Sequence, residues 1–148
     1  MPATGQFHFS HYLRVRYSEV DMQGFVFNAN HVVYFQTALQ EYFRVIGYDA
    51  NTQDKGTDFH TVRLSVDFSS PIPADEEVEI HVRTARVGRS SITFDLIATK
   101  KSDQHLFSRA EIIWVNADQA THKSVPVSPN LLAQLSKQES VDFSKDEA

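Results

Sequence analysis

The stretch from about Asn30 to Ile46 constrains this chain more than any other. Val32, Phe35, Leu39, Tyr42/Phe43 and Ile46 recur at helical spacing, and Val33, Tyr34 and Ala38 add apolar surface off that stripe. A helix apolar over more than one stripe has to be covered on most sides. Asn28 or Asn30 is placed to cap its start, and Gly47 to stop it. The period then changes from 3.6 to two. Thr61–Phe68 sets Val62, Leu64, Val66 and Phe68 on one face, Glu77–Val87 does so with Val78, Ile80 and Val82, and Ser91–Ala98 with Ile92, Phe94 and Leu96. His105–Val115 is more uniformly apolar near its end, which predicts a central strand buried on both faces. Ahead of the helix, His11–Tyr17 alternates Leu13, Val15 and Tyr17 against Arg14 and Arg16. Four strands follow the long helix with no helix between them, so a βαβ arrangement is excluded. The economical solution is α+β, an antiparallel sheet curved around the single helix.

The 148 residues predict one domain, its core spanning about residues 10–135. Ser128-Pro129 reads as a cap plus a first-turn proline, opening a short helix through Leu131, Leu132 and Leu135. The polar, acidic end from Glu139 to Ala148 reads as a flexible, frayed tail. The net charge of −5 argues against a protein that works by neutralising nucleic-acid phosphates. There is no cysteine, which excludes disulfides, thiolate metal sites and a cysteine nucleophile. The histidines at 8, 11, 31, 60, 81, 105 and 122 show no tight ligand spacing, so no metal and no cofactor is expected. No basic region followed by an apolar run opens the chain, and no stretch approaches a membrane span. A cytoplasmic location is the default expectation.

Chemistry is concentrated in Asp21-Met-Gln-Gly24-Phe-Val-Phe-Asn28. A carboxylate, a glycine turn and a helix start are aimed at one small volume. Aspartate before glycine is also a common turn residue. Carbonyl chemistry uses both components: an anion to attack or to activate water, and N–H groups to hold the oxygen. Asn28 and Asn30 are both good caps, and Gly24 is chiefly a backbone requirement. No G-x-S-x-G elbow and no phosphate-binding glycine loop is present.

The chain resembles the 4-hydroxybenzoyl-CoA thioesterase-like family of hotdog-fold acyl-CoA thioesterases. The resemblance is carried by Arg16-Tyr17-Ser-Glu-Val-Asp21-Met-Gln-Gly24-Phe-Val-Phe-Asn28-Ala, by Tyr34-Phe35 and by Ala38-Leu-Gln-Glu41. Phe68-Ser-Ser-Pro71, Gly88-Arg-Ser-Ser91 and a late strand ending Trp114-Val115 add to it, over roughly residues 10–135. It implies a hotdog fold, edge pairing of two sheets into a homodimer, commonly a homotetramer, and active sites at the dimer interface. It implies an acyl-CoA substrate, with coenzyme A present only as part of that substrate.

By the same resemblance, Asp21 is the catalytic carboxylate, as general base or as nucleophile, and the Asn28 amide polarises the thioester carbonyl. Two positions depart from the common pattern. Asn28 stands where relatives often have His or an aromatic residue, and His31 where Tyr is common. His31 is then placed to assist proton transfer or to shape the acyl pocket. Phe27 and Tyr34 are candidates to line the substrate pocket, although aromatic residues more often pack the core. Arg86, Arg89 and Ser91 are candidates to meet the CoA phosphates. Arg83, Lys100 and Lys101 belong to the same local basic excess. Glu41 reads as structural. The rival readings are a hydratase or dehydratase acting on the acyl chain, and a non-catalytic acyl-CoA-binding protein.

Overall fold

The structure is a computed structural model that describes residues 6–145. Five strands form one antiparallel sheet: β1 (Phe9–Arg14), β2 (Thr57–Phe68), β3 (Glu77–Val87), β4 (Ser91–Lys100) and β5 (Leu106–Asp118). Their spatial order is β1-β3-β4-β5-β2, which leaves β1 and β2 as edges. The long helix α1 (Asn28–Ile46) packs on the inner face, and α3 (Pro129–Glu139) closes one end; α2 (Ala50–Gln53) is a single turn. This is the curved-sheet α+β arrangement expected. Phe35, Leu39 and Tyr42 of α1 meet Ile80, Phe94 and Ile112 of the sheet, all at most 1% exposed. Each such side chain contributes about 1.5–3 kcal/mol of transfer free energy relative to exposure.

Several expectations are corrected. The helix starts at Asn28 rather than Asn30, and its cap is Phe27, with no side-chain cap bond. Asn30 instead donates its amide to the Glu19 carbonyl at 2.9 Å. The buried stripe is His31, Tyr34, Phe35, Ala38, Leu39 and Tyr42, so Tyr34 and Ala38 belong to the main face. Val33 and Val45 remain 53% and 62% exposed, so this chain alone does not cover the helix on most sides. Gly47 does end the helix, at φ 76°, with its N–H on Arg44 and Phe43 carbonyls.

The strands show a similar mixture. β1 stops at Arg14, and Tyr17 lies in a short 3-10 turn, 94% exposed rather than half-buried. Val62 sits at a register shift between Thr61 and Arg63 and is 60% exposed, off the face of Leu64 and Val66. The strand buried on both faces is β4, not β5. On its outer side Asp95 is covered by Arg83, at 2.9 Å, and Arg109, at 3.8 Å. β5 borders edge strand β2, so Ile113, Trp114 and Val115 are only half-buried.

Ser128 caps α3 as expected, its Oγ accepting the Leu131 N–H at 3.1 Å. The chain end is not frayed where α3 finishes. Glu139 is 7% exposed and Phe143 3% exposed in the core. The rest of the predicted tail, residues 146–148, lies outside the described residues. Among the described residues, no helix is long and apolar enough to cross a membrane.

Candidate active site

The segment between β1 and α1 folds back on itself at Asp21. The Asp21 N–H donates to the Phe25 carbonyl at 2.8 Å, and Gly24 N–H to the Asp21 carbonyl at 3.0 Å. Gly24 adopts φ 84°, a conformation that costs an L residue about 1–2 kcal/mol, so glycine is required by the backbone. The Asp21 carboxylate takes part in the turn through one oxygen. Its Oδ1 accepts the N–H groups of Gln23, at 2.9 Å, and Phe25, at 3.3 Å. Oδ2 has no protein partner among the described residues, and the residue is exposed.

A second segment, the one leaving β2, is stitched to this turn. Val26 N–H donates to the Ile72 carbonyl at 2.8 Å, and Ala74 N–H to Gly24 at 3.0 Å. Ser69 and Ser70 N–H both donate to the Phe107 carbonyl, at 2.9 and 3.1 Å, which fixes the end of β2 against β5. Between the two segments lies a cavity of about 290 Å³. Asp21, Gln23, Phe25, Val26, Asn28 and His31 line one side, and Phe68, Ser69, Ser70 and Pro71 the other.

Helix α1 points its start at this cavity. Glu19 sets the entry angle: its carbonyl accepts Phe27 N–H at 3.0 Å and the Asn30 amide, while its Oε1 accepts Arg16 N–H and Tyr34 O–H, both at 2.7 Å. The Asn30 N–H is occupied by the Phe27 carbonyl at 2.8 Å, but those of Asn28 and Ala29 have no acceptor among the described residues. Free N–H groups at the start of a 19-residue helix carry partial positive charge. Asp21 and Asn28, the first residue of the helix, therefore line one volume, and the second free N–H belongs to the residue that follows Asn28.

His31 forms part of the cavity wall. It is 2% exposed, its Nδ1 lies 2.8 Å from Ser108 Oγ, and its ring meets Phe68 edge-on at 4.9 Å. Burial lowers its pKa, so the ring is neutral at pH 7.

The other expected residues are placed elsewhere. Phe27, between lining residues Val26 and Asn28 in the chain, is 56% exposed and is not in the cavity lining. Tyr34 faces a different cavity, with Arg16, Glu19 and Thr37. Burial first, then Glu19, raises its pKa, so it remains a hydroxyl donor. Arg86, Arg89 and Ser91 lie around the β3–β4 turn; Arg89 lines a cavity with Val127 and Phe143. Arg83, Lys100 and Lys101 are engaged with Asp95, Glu76 and Glu77, whereas Arg86 and Arg89 carry no ion pair among the described residues. Glu41 pairs with Arg44 at 2.9 Å on the helix surface. Among the described residues no three metal-ligating side chains converge.

Sequence reasoning left Glu19, Gln23, Ser69, Ser70 and Ser108 out of the site. The Phe68-Ser-Ser-Pro71 strand end was a signal for two of them. Ser108 gave none, because it meets His31 only through strand register.

Comparison with known proteins gives the family and the fold. A family model described as the thioesterase-like superfamily matches residues 15–135. The chain belongs to that superfamily and is a thioester hydrolase. The uncharacterized protein YsmA of Bacillus subtilis is 27% identical over 119 residues, 80% of this chain and 79% of that one. A 1,4-dihydroxy-2-naphthoyl-CoA thioesterase of Synechocystis shares the fold with a TM-score of 0.79, at 16% identity over 86% of this chain and 94% of that one. A thioesterase of Thermus thermophilus, complexed with coenzyme A and Zn, has a TM-score of 0.78, at 24% identity over 91% and 96% of the two chains.

Proposed function

We propose that this chain hydrolyses an acyl-CoA thioester, adding water across the C–S bond to give the free acid and coenzyme A. The observation that carries the reading is the shared cavity. It brings Asp21, whose Oδ2 is free, and Asn28, whose N–H is unpartnered, to one volume, with the unpartnered Ala29 N–H on the next residue of the helix. The thioester carbonyl oxygen is held by those N–H groups, where losing one donor typically costs about 3 kcal/mol. Asp21 then takes a proton from the attacking water or attacks the carbon itself to give a mixed anhydride. The CoA thiolate leaves without a strong general acid.

A cavity of about 290 Å³ suits the acyl group, so the coenzyme lies outside it. Met22, Phe27 and Phe68 are large, exposed and apolar; Met22 and Phe27 adjoin lining residues in the chain, and Phe68 ends β2. A second copy paired along β2 covers them, and Arg86, Arg89 and Ser91 of the assembly meet the CoA phosphates. The hydratase reading has less support, since His31 bonds Ser108 rather than a carboxylate.

Asp21→Asn is the test. Asparagine keeps an oxygen for the Gln23 and Phe25 N–H groups, so the turn survives. CoA release, followed with a thiol reagent across short, medium, long and aryl acyl-CoAs, is expected to fall by about 100-fold or more. Turnover like that of the wild type in the variant removes Asp21 from the mechanism.

A further inference from the structure

The Asp21 cavity is walled in part by a polar side chain, His31, backed by Ser108, where a hydrocarbon chain would meet a better wall of Leu or Phe. His31 and Ser108 are 2% and 0% exposed, and their side chains are bonded at 2.8 Å. The Phe68 edge contact holds the imidazole plane. A neutral imidazole has one donor and one acceptor nitrogen. Ser108 occupies Nδ1. Nε2 has no protein partner among the described residues, on a side chain that lines the cavity. An acyl group that fills the cavity shuts Nε2 off from solvent, so its pairing then depends on what that group offers.

We propose that the His31–Ser108 pair selects acyl groups that carry a hydrogen-bonding oxygen, hydroxyl or keto, beyond the thioester carbonyl, over hydrocarbon acyl groups of the same size. This inference rests on the acyl-CoA reading of the same cavity. A hydrocarbon acyl group leaves Nε2 buried and unpaired, and an oxygen at its reach restores the bond. Sites built around a polar partner reject the analogue that lacks it far more strongly than apolar pockets reject an added hydroxyl. Ser108 acts as a positioning residue, since it touches His31 and holds one tautomer and one ring orientation.

The test reads binding without turnover. Benzoyl and butanoyl groups, with their monohydroxylated counterparts, are attached to CoA through a CO–CH2–S linkage that cannot be hydrolysed. Dissociation constants are measured by calorimetry on the full chain. At least one hydroxylated member is expected to bind the wild type about 10- to 100-fold tighter than its parent. That ratio falls to within about 2-fold in His31→Phe, shrinks in Ser108→Ala and is partly kept in His31→Gln, which retains a donor and an acceptor. Thermal melting shows whether each variant folds, and Ser108→Ala decides the matter if His31→Phe does not. Equal affinities within every pair, a preference undiminished in folded His31→Phe or Ser108→Ala, or no binding of any analogue overturns the proposal. Hydrolysis is read separately, as CoA release from the true thioesters. Its failure strikes the proposed reaction, and a missing hydroxyl preference strikes this inference.

Discussion

Tyr42→Phe should destabilise the protein by an amount that depends on pH. Tyr42, 0% exposed, bonds through its hydroxyl to Glu139 Oε2 on α3 and to Thr84 Oγ1 on β3, at 2.5 and 2.8 Å. The same carboxylate oxygen accepts Thr84 N–H at 3.0 Å, so α1, β3 and α3 meet at one buried group. Removing the phenolic oxygen deletes a charge-assisted bond of about 1.5–3 kcal/mol and strands the Thr84 hydroxyl for about 1 kcal/mol more. The sum, about 2.5–4 kcal/mol at neutral pH, lowers Tm by about 5–16 °C in a chain this size. Burial raises the Glu139 pKa above 4.5, against the opposing bonds from Tyr42 and Thr84 and the charges of His8 and Arg83. The folded state therefore binds this proton more tightly than the unfolded chain. The stability it contributes is full below 4.5 and is lost as pH rises through the raised folded value. Phenylalanine removes a bond that favours the ionised form, pushing Glu139 higher still. The penalty is thus smaller in acid, where a neutral carboxyl accepts a bond of roughly half the strength. Urea unfolding of both proteins at about pH 4 and pH 7.5, at equal protomer concentration, checks this. A difference below about 1 kcal/mol at neutral pH, or one that does not change with pH, refutes the reasoning.

Two further perturbations probe other parts of the molecule. Burial alone would raise the pKa of Glu79, but bonds from Ser10 and Gln104, both 2.7 Å, and the neighbouring His81 and Tyr12 outweigh it and hold it below 4.5. Its contribution is present above 4.5 and is lost as pH falls through the folded value, so Glu79→Gln should cost about 1–3 kcal/mol at neutral pH and flatten the acid limb of a Tm profile. An unchanged profile rules this out. Val62→Glu places a charge on the β2 edge, and light scattering should show the proposed dimer weakened by about 100-fold or more. A variant that still assembles at micromolar concentration shows that β2 is not the pairing edge.

What the sequence made legible, and what it hid, divides by the range of the interaction. The 3.6 period of α1 is local, and so is the Asp21–Asn28 spacing; both could be read from neighbouring residues. Which of two adjacent stripes of α1 faces the sheet is not local. Tyr34 and Ala38 were assigned off the main face because the pattern alone cannot fix the helix rotation about its axis. Val62 left its expected face because a bulge changes the parity of a strand without changing its pattern of apolar residues. Glu139 looked like solvent-facing tail because its two donors lie 55 and 97 residues upstream. The same division runs through the cavity. Its Asp21 wall comes from one continuous segment, whereas its other wall is delivered by the end of β2, and Ser108 by β5 register. His31 stood out in the sequence only as a departure from a pattern. A partner 77 residues away turns that departure into a fixed, neutral imidazole at the cavity wall, which the helix alone could not have built.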